Sequence, residues 1–498
     1  MSEILFIHPG NHRKTYQELG NLHSAIAPPV WIGLLAHHVK QHGIECAILD
    51  TNVEGWSKEL CAEILEKYNP KLIVMMVYGH NPSASTQTMP VASSIAADIK
   101  SVNDTVPLAM GGLHPSALPE KTLKEEACDF VLRGEGAIPI RKLYAYLTGD
   151  ISCDKLVGVN FLKKDGELFD SGMPPMTEDL DETYKSYAFD LLPDLTRYRA
   201  HDSHCFQEFE KSTEPGFIDV RTPYFVLYTS LGCPYHCTYC CINSLFGKPR
   251  IRYWDLETVM GWIDTLVLKH GVKHIRLDDE LFILSPKRIE LFCDMIIERG
   301  YDLNLWAYAR VDTVRESLLK KMKKAGLQWL CLGIEAGAAA VRDDVDKTIK
   351  RDIFDTVKMI QDNDIYVLGN FMFGLPEDNL ETMRATLDMA VKLRCEFINF
   401  NSTMAYPGSQ LYNYWIANAP DKLPSSWAGY TQHGYETQPL PTKYLSSEQV
   451  IKFRDEAFEE YYTNEGYLQF IKQRFGPKTV EYIRNMTKIK LKRKILGD

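Results

Sequence analysis

Two successive series of short apolar runs, separated by helix-length stretches, constrain this chain more than any other feature of its sequence. The first series places strands near residues 4–7, 45–49, 72–77 and 130–132, with helical stretches such as 30–41 and 57–68 between them. The second places six, at 224–229, 274–277, 303–308, 329–334, 366–371 and 397–400, with further helices between, one of them opened by Ser285-Pro286. A strand followed by a helix and then another strand crosses over its sheet, so the strands run parallel and helices cover their faces. Both halves therefore read as α/β, and 498 residues suffice for about three domains.

The loops after the strands of the first series hold its unusual residues: His8 to His12, Tyr78 to Ser83, Gly111-Gly112-Leu113-His114 and Arg133-Gly134-Glu135-Gly136. Ligands of open α/β sheets sit at this edge, where glycine lets a flat or phosphate-bearing group approach the backbone. The same glycines also serve plain turns. In the second series the first strand runs straight into Cys233-Pro-Tyr-His-Cys237-Thr-Tyr-Cys240, three cysteines at CxxxCxxC spacing in a turn-rich loop. Three thiolates there can hold three corners of a cubane iron–sulfur cluster. Such clusters normally take four cysteines, so one iron would be left open for a ligand that is not protein. Zinc also binds clustered cysteines, but it needs a fourth ligand close by. Cys241 would be strained beside Cys240, and His236 has no HxxxH partner downstream.

CxxxCxxC with an aromatic residue, Tyr239, before its last cysteine resembles the signature of radical S-adenosylmethionine enzymes. The resemblance implies that Cys233, Cys237 and Cys240 carry a 4Fe-4S cluster whose open iron is chelated by S-adenosylmethionine. One electron then cleaves that molecule to a 5′-deoxyadenosyl radical. It implies a partial (β/α)6 TIM-type barrel with the cluster loop after its first strand and the chemistry at the C-terminal strand ends. Family roles then fall on Asp278, Asp279 and Glu280 for the amino group, Arg310 for the carboxylate, and Glu335 for the ribose hydroxyls. Tyr239 and Gly374, the latter in a glycine–proline turn beside the adenine, complete the set.

Residues 1–150 resemble the flavodoxin-like, Rossmann-type cobalamin-binding domain that precedes the barrel in one large class of these enzymes. The matching pieces are Pro28-Pro29, Gly111 to Pro115, and Arg133 to Gly136. The resemblance implies cobalamin held by Ser83, Ser85, Gly111, Gly112, His114, Gly134, Glu135 and Gly136. The DxHxxG motif that gives cobalt a histidine is missing: in Asp50-Thr-Asn-Val-Glu-Gly55, Asn52 replaces it, and the segment follows the second strand. The cofactor is therefore expected base-off, with none of His8, His12, His80 or His114 on the metal.

Residues 151–222 read as a connector placed to cover the active site, with a strand at 157–161, a hairpin turn at 164–166, and His201, His204 and Cys205 as surface residues. The barrel is expected over 223–410 and a mainly helical C-terminal domain over 411–498. There Leu445-Ser-Ser-Glu448 looks like a capping box, and Tyr461, Tyr462, Tyr467 and Phe470 like core. A net charge of −10 argues against general nucleic-acid binding, and the basic end from Lys488 to Lys494 reads as a solvated face or tail. No apolar run approaches the length of a bilayer span. Twelve cysteines in a long chain without a signal peptide read as reduced thiols of a cytoplasmic protein. The expected activity is cobalamin-dependent methylation of an unactivated carbon in a small molecule or peptide, fed by a flavodoxin- or ferredoxin-type electron donor. A cyclisation or rearrangement, a cobalamin-free radical enzyme with a relic N-terminal domain, and a non-enzymatic metal-binding protein are the alternatives.

Overall fold

In the computed structural model, which describes residues 2–10, 16–78 and 84–498, the first series forms a parallel sheet. Its strands are β1 (Ile4–His8), β2 (Cys46–Asp50), β3 (Leu72–Met76), β4 (Leu108–Gly111) and β5 (Phe130–Leu132), in the order β2-β1-β3-β4-β5. Alternate residues serve different faces, as the two-residue repeat of a strand requires. Ile4, Phe6, Val74 and Met76 enter one hydrophobic core, and Leu5, Ile7, Ile73 and Met75 another. The first of these cores runs on into the second half of the chain, through Trp31 against Tyr184 and Tyr187 against Phe225. The sheet also continues past residue 150, the boundary the sequence suggests. Antiparallel strands β6 (Val159–Leu162) and β7 (Leu168–Asp170) extend it beyond β5, joined by the turn expected at 164–166.

The second series builds a six-stranded parallel half-barrel. Its first strand, β8 (Tyr224–Leu227), leads into a short ladder of β9 (Ser230–Leu231) with β10 (Arg252–Tyr253) that frames the cysteine loop. Then follow β11 (His274–Leu277), β12 (Asn304–Arg310), β13 (Leu327–Glu335), β14 (Tyr366–Phe373) and β15 (Phe397–Ser402), each paired with the one before. The open edge of β15 would be a template for further pairing, and side chains from the C-terminal region occupy it at every second residue. The Tyr462 hydroxyl accepts from Ile398 N (3.1 Å) and donates to Ile398 O (2.7 Å), Arg454 Nε donates to Phe400 O (2.8 Å), and Gln432 bonds both N and O of Ser402. The helix Ser447–Tyr462 that carries two of them starts from a reciprocal cap between Ser446 and Gln449, not Glu448.

The connector, expected to cover the active site, meets the frame of the cysteine loop through Thr177 O and the Glu178 carboxylate, which accept from Arg252 and Arg250. Its 3-10 stretch Asp202–Lys211 fills the opposite, N-terminal end of the barrel. His204 Nε2 donates to Asn304 O (2.9 Å), Asn304 Nδ2 to His204 O (2.8 Å), and Trp329 Nε1 to Gln207 Oε1 (3.4 Å). His204 and Cys205 are accordingly buried rather than on the surface. So are Tyr461, Tyr462 and Tyr467 of the expected core aromatics, while Phe470 is half-buried against them, and so is Arg493, which the basic end of the chain does not reveal as an interior residue. No helix of the described residues is long and apolar enough to cross a membrane.

Candidate functional site

The cysteine loop is held from below by the end of β11. Asp279 accepts from Thr229 N, Thr229 Oγ1 and Ser230 Oγ at 2.5 to 2.6 Å, and Glu280 Oε2 accepts from Gly232 N (3.0 Å). Gly232 has φ +88°, and a Cβ there would lie 2.4 Å from Arg250 O, so the loop can pass this point only as glycine. Beyond it Cys233, Cys237 and Cys240 all line a cavity of about 580 Å3 in the barrel interior. Burial pushes the Cys233 thiol up to about 11 and that of Cys240 to about 12. Cys241 is buried as well but lies outside the cavity wall. No three His, Cys, Asp or Glu among the described residues converge on one metal ion. Three thiols spaced around a cavity suit a cluster, in which each binds a different iron.

Strand ends bring the other predicted residues to this cavity selectively. Asp278, Glu280, Arg310, Glu335 and Tyr239 line it, whereas Asp279 and Gly374 do not. Asp279 is spent on the loop, and Gly374, with φ +82°, makes room for Val450, which a Cβ would meet at 2.5 Å. Glu280 keeps one oxygen, Oε1, buried without a hydrogen-bond partner, and burial raises its carboxyl to about 8. Arg310 stacks over Tyr235 (4.0 Å), donates to Thr348 O (2.9 Å), and brings Nη1 to 4.0 Å from Cys237 Sγ. A register shift in β13 puts Glu335 at φ +66°; such a bulge re-aims a side chain. Glu335 pairs there with Lys347 (3.0 Å), which also lines the cavity and which nothing in the sequence singles out.

A second cleft opens where the first sheet reverses its strand order, between β1 and β3, the position at which doubly wound sheets take ligands. His8, Pro9, Gly10, Trp31, Asn52, Met76 and Tyr78 are among its lining residues, and its volume is about 80 Å3. The Tyr78 hydroxyl is buried with no partner among the described residues. This cleft and the barrel cavity share Tyr16, Ala84, Gln87, Arg276 and Asp278 as lining residues, so the two spaces adjoin.

The predicted cobalamin residues are placed elsewhere. Ser83, like His12 and His80, lies outside the described residues. Ser85 donates to Val77 O (2.5 Å) and accepts from His114 N (3.0 Å). A Cβ on Gly111 would meet Met76, and one on Gly112, at φ +116°, would lie 2.4 Å from Val77 O; these glycines are required by the protein's own packing. His114 is buried against Trp427 (ring centroids 4.3 Å apart), with Nδ1 on Thr86. Gly134 and Gly136 pack against Pro174 and Leu35, and Glu135 forms a buried ion pair with Arg252 of β10. His8 does line the cleft, and burial lowers its pKa to about 4.

Residues 24–143 match the B12 binding domain family and residues 227–390 the radical SAM superfamily. The chain is 29% identical to an uncharacterized methyltransferase of Pyrococcus horikoshii, over 87% of this chain and 88% of that one. It is 27% identical to an anaerobic magnesium-protoporphyrin IX monomethyl ester cyclase of Rubrivivax gelatinosus, over 82% and 69%. Among solved structures, the radical S-adenosylmethionine methyltransferase TsrM of Kitasatospora setae, with tryptophan substrate and a SAM analogue bound, superposes with a TM-score of 0.68. That match covers 99% of this chain and 97% of the other, at 14% identity.

Proposed function

Because the chain belongs to the radical S-adenosylmethionine enzymes that carry a B12-binding domain, we propose that it is a cobalamin-dependent methyltransferase acting on an unactivated carbon of a small molecule. The observation that carries this reading is the shared wall: the cleft of the first domain adjoins the barrel cavity at Tyr16, Ala84, Gln87, Arg276 and Asp278. One substrate atom can therefore face both cofactors. When bound, the cluster with S-adenosylmethionine supplies hydrogen abstraction and cobalamin supplies the methyl group. Cys233, Cys237 and Cys240 would hold the cluster, the orphan oxygen of Glu280 the amino group, Arg310 the carboxylate, and Glu335 with Tyr239 the nucleoside. Trp31, Met76, Tyr78 and the backbone at Pro9 and Gly10 would seat the corrin. The plug at 202–211 keeps water out of the far end of the chamber. A flavodoxin- or ferredoxin-type donor in the cytoplasm suits a chain whose twelve cysteines are all free thiols.

Anaerobically purified protein is expected to contain iron and cobalt and, with a low-potential reductant, to release 5′-deoxyadenosine. Alanine at Cys233, Cys237 or Cys240 should abolish both iron and product, while Cys241→Ala should keep them. Iron loss in Cys241→Ala would remove the three-thiolate assignment. S-adenosylmethionine labelled in its methyl group, incubated with a metabolite extract, should pass label to a product. Deoxyadenosine without labelled product would favour a second reading, a cyclisation, for which the similarity to the cyclase speaks.

A further inference from the structure

The residues assigned to the cofactors come from the cysteine loop, the ends of β11 to β13 and the cleft of the first domain; the wall of the cavity on β14, β15 and the C-terminal region is left over. Its inward side chains are Asn370, Asn399, Asn401, Gln432, His433 and Arg454: none is a carboxylate. Behind it, Arg493 donates to Asp455 through Nε (2.8 Å) and Nη2 (2.9 Å), and Arg454 Nη1 donates to the same carboxylate (2.7 Å). Two guanidiniums, both buried, thus share one counter-charge. Arg454 Nη2 also donates to His433 Nε2 (3.2 Å). Since arginine has no acceptor, this contact fixes the tautomer of His433 with its proton on Nδ1. That N–H is buried and has no hydrogen-bond partner among the described residues. Burial, and then the neighbouring guanidiniums, hold the ring neutral, well below the usual histidine range.

A fixed, unpaired N–H beside an uncompensated positive charge is a receptor for an oxyanion. We propose that this wall docks an anionic group of the substrate, a carboxylate or phosphoryl oxygen accepting from His433 Nδ1, with Arg454 as the balancing charge. Phe397, Phe400 and Phe458, which line the same side, receive the apolar remainder. The inference rests on the barrel cavity being the substrate chamber.

The test uses reconstituted holoenzyme and three probes, 3-phenylpropanoate, phenylphosphonate and the neutral 3-phenylpropanamide, titrated by calorimetry. At least one anion should bind about tenfold more tightly than the amide, the scale of a hydrogen bond to a charged group. The tighter of the two identifies the oxyanion as carboxylate or phosphoryl. His433→Phe, which keeps a ring and removes the donor, should reduce the anions to the level of the amide. A wild-type crystal soaked in the tighter probe should show its oxygens within hydrogen-bond distance of His433 Nδ1. Equal binding of all three probes, a preference that survives His433→Phe, or density elsewhere in the cavity would overturn the proposal. Release of 5′-deoxyadenosine is read in the same samples: its absence from wild type would count against the functional reading instead.

Discussion

At the scale of single residues, Asp278, Asp279 and Glu280 show what the sequence holds and what it hides. All three stand at a strand end, but only the first and third line the cavity while the middle one braces the loop. The two-residue repeat of a strand contains that choice, once it is known which parity faces inward. Cys233, Cys237 and Cys240 were legible because their spacing is local. Lys347, His433 and Arg454 were not, because the groups that give them meaning are contributed by other elements. Asp50 is another such case: it is buried at the end of β2, where it accepts from Asn52 N (3.0 Å) and the Tyr198 hydroxyl (2.9 Å). Burial raises its carboxyl from 3.8 to about 7. A carboxyl raised in the folded state favours folding fully below its unfolded value, and that contribution is lost as pH rises through the folded one. Asp50→Asn should therefore gain stability over wild type as pH rises from 5 to 8, by roughly 3 kcal/mol, in urea unfolding at the two pH values. An unchanged difference between them would show that Asp50 is already ionised at pH 5.

At the scale of elements, the six barrel strands and four of the first five strands of the N-terminal sheet were legible from apolar runs and helical spacing. The limit of the barrel, six strands within 223–410, came from the family resemblance alone: residues 397–402 do not themselves say that no seventh strand follows. That limit is set by Tyr462, Arg454 and Gln432, which occupy the edge of β15 from outside. Tyr462→Phe keeps the ring and leaves both polar groups of Ile398 buried without a partner. A loss of about 2 to 4 kcal/mol is expected, since each orphaned group costs roughly 1–3 kcal/mol. It is measured as a lower urea midpoint with an unchanged slope. A variant as stable as wild type would mean that water replaces the hydroxyl at this edge.

At the scale of the whole molecule, the halves that the sequence divides at residue 150 share a core and a buried charge pair. Glu135 follows β5 and Arg252 lies on β10, beside the cysteine loop, with side chains 8% and 3% exposed. Arg252→Met should cost about 3–5 kcal/mol by stranding a buried carboxylate, whereas adding Glu135→Leu should restore most of it. Thermal unfolding of the single and double variants checks this; equal loss in both would assign the effect to packing around Arg252. The plug at the base of the barrel carries a different consequence, one of timing. Residues 202–211 leave the ribosome before any barrel strand exists, yet Asp202 receives the hydroxyl of Tyr482 (2.6 Å), made 280 residues later. The barrel must therefore assemble around a segment already tethered to the N-terminal sheet, and that segment is not latched until residue 482 has been made.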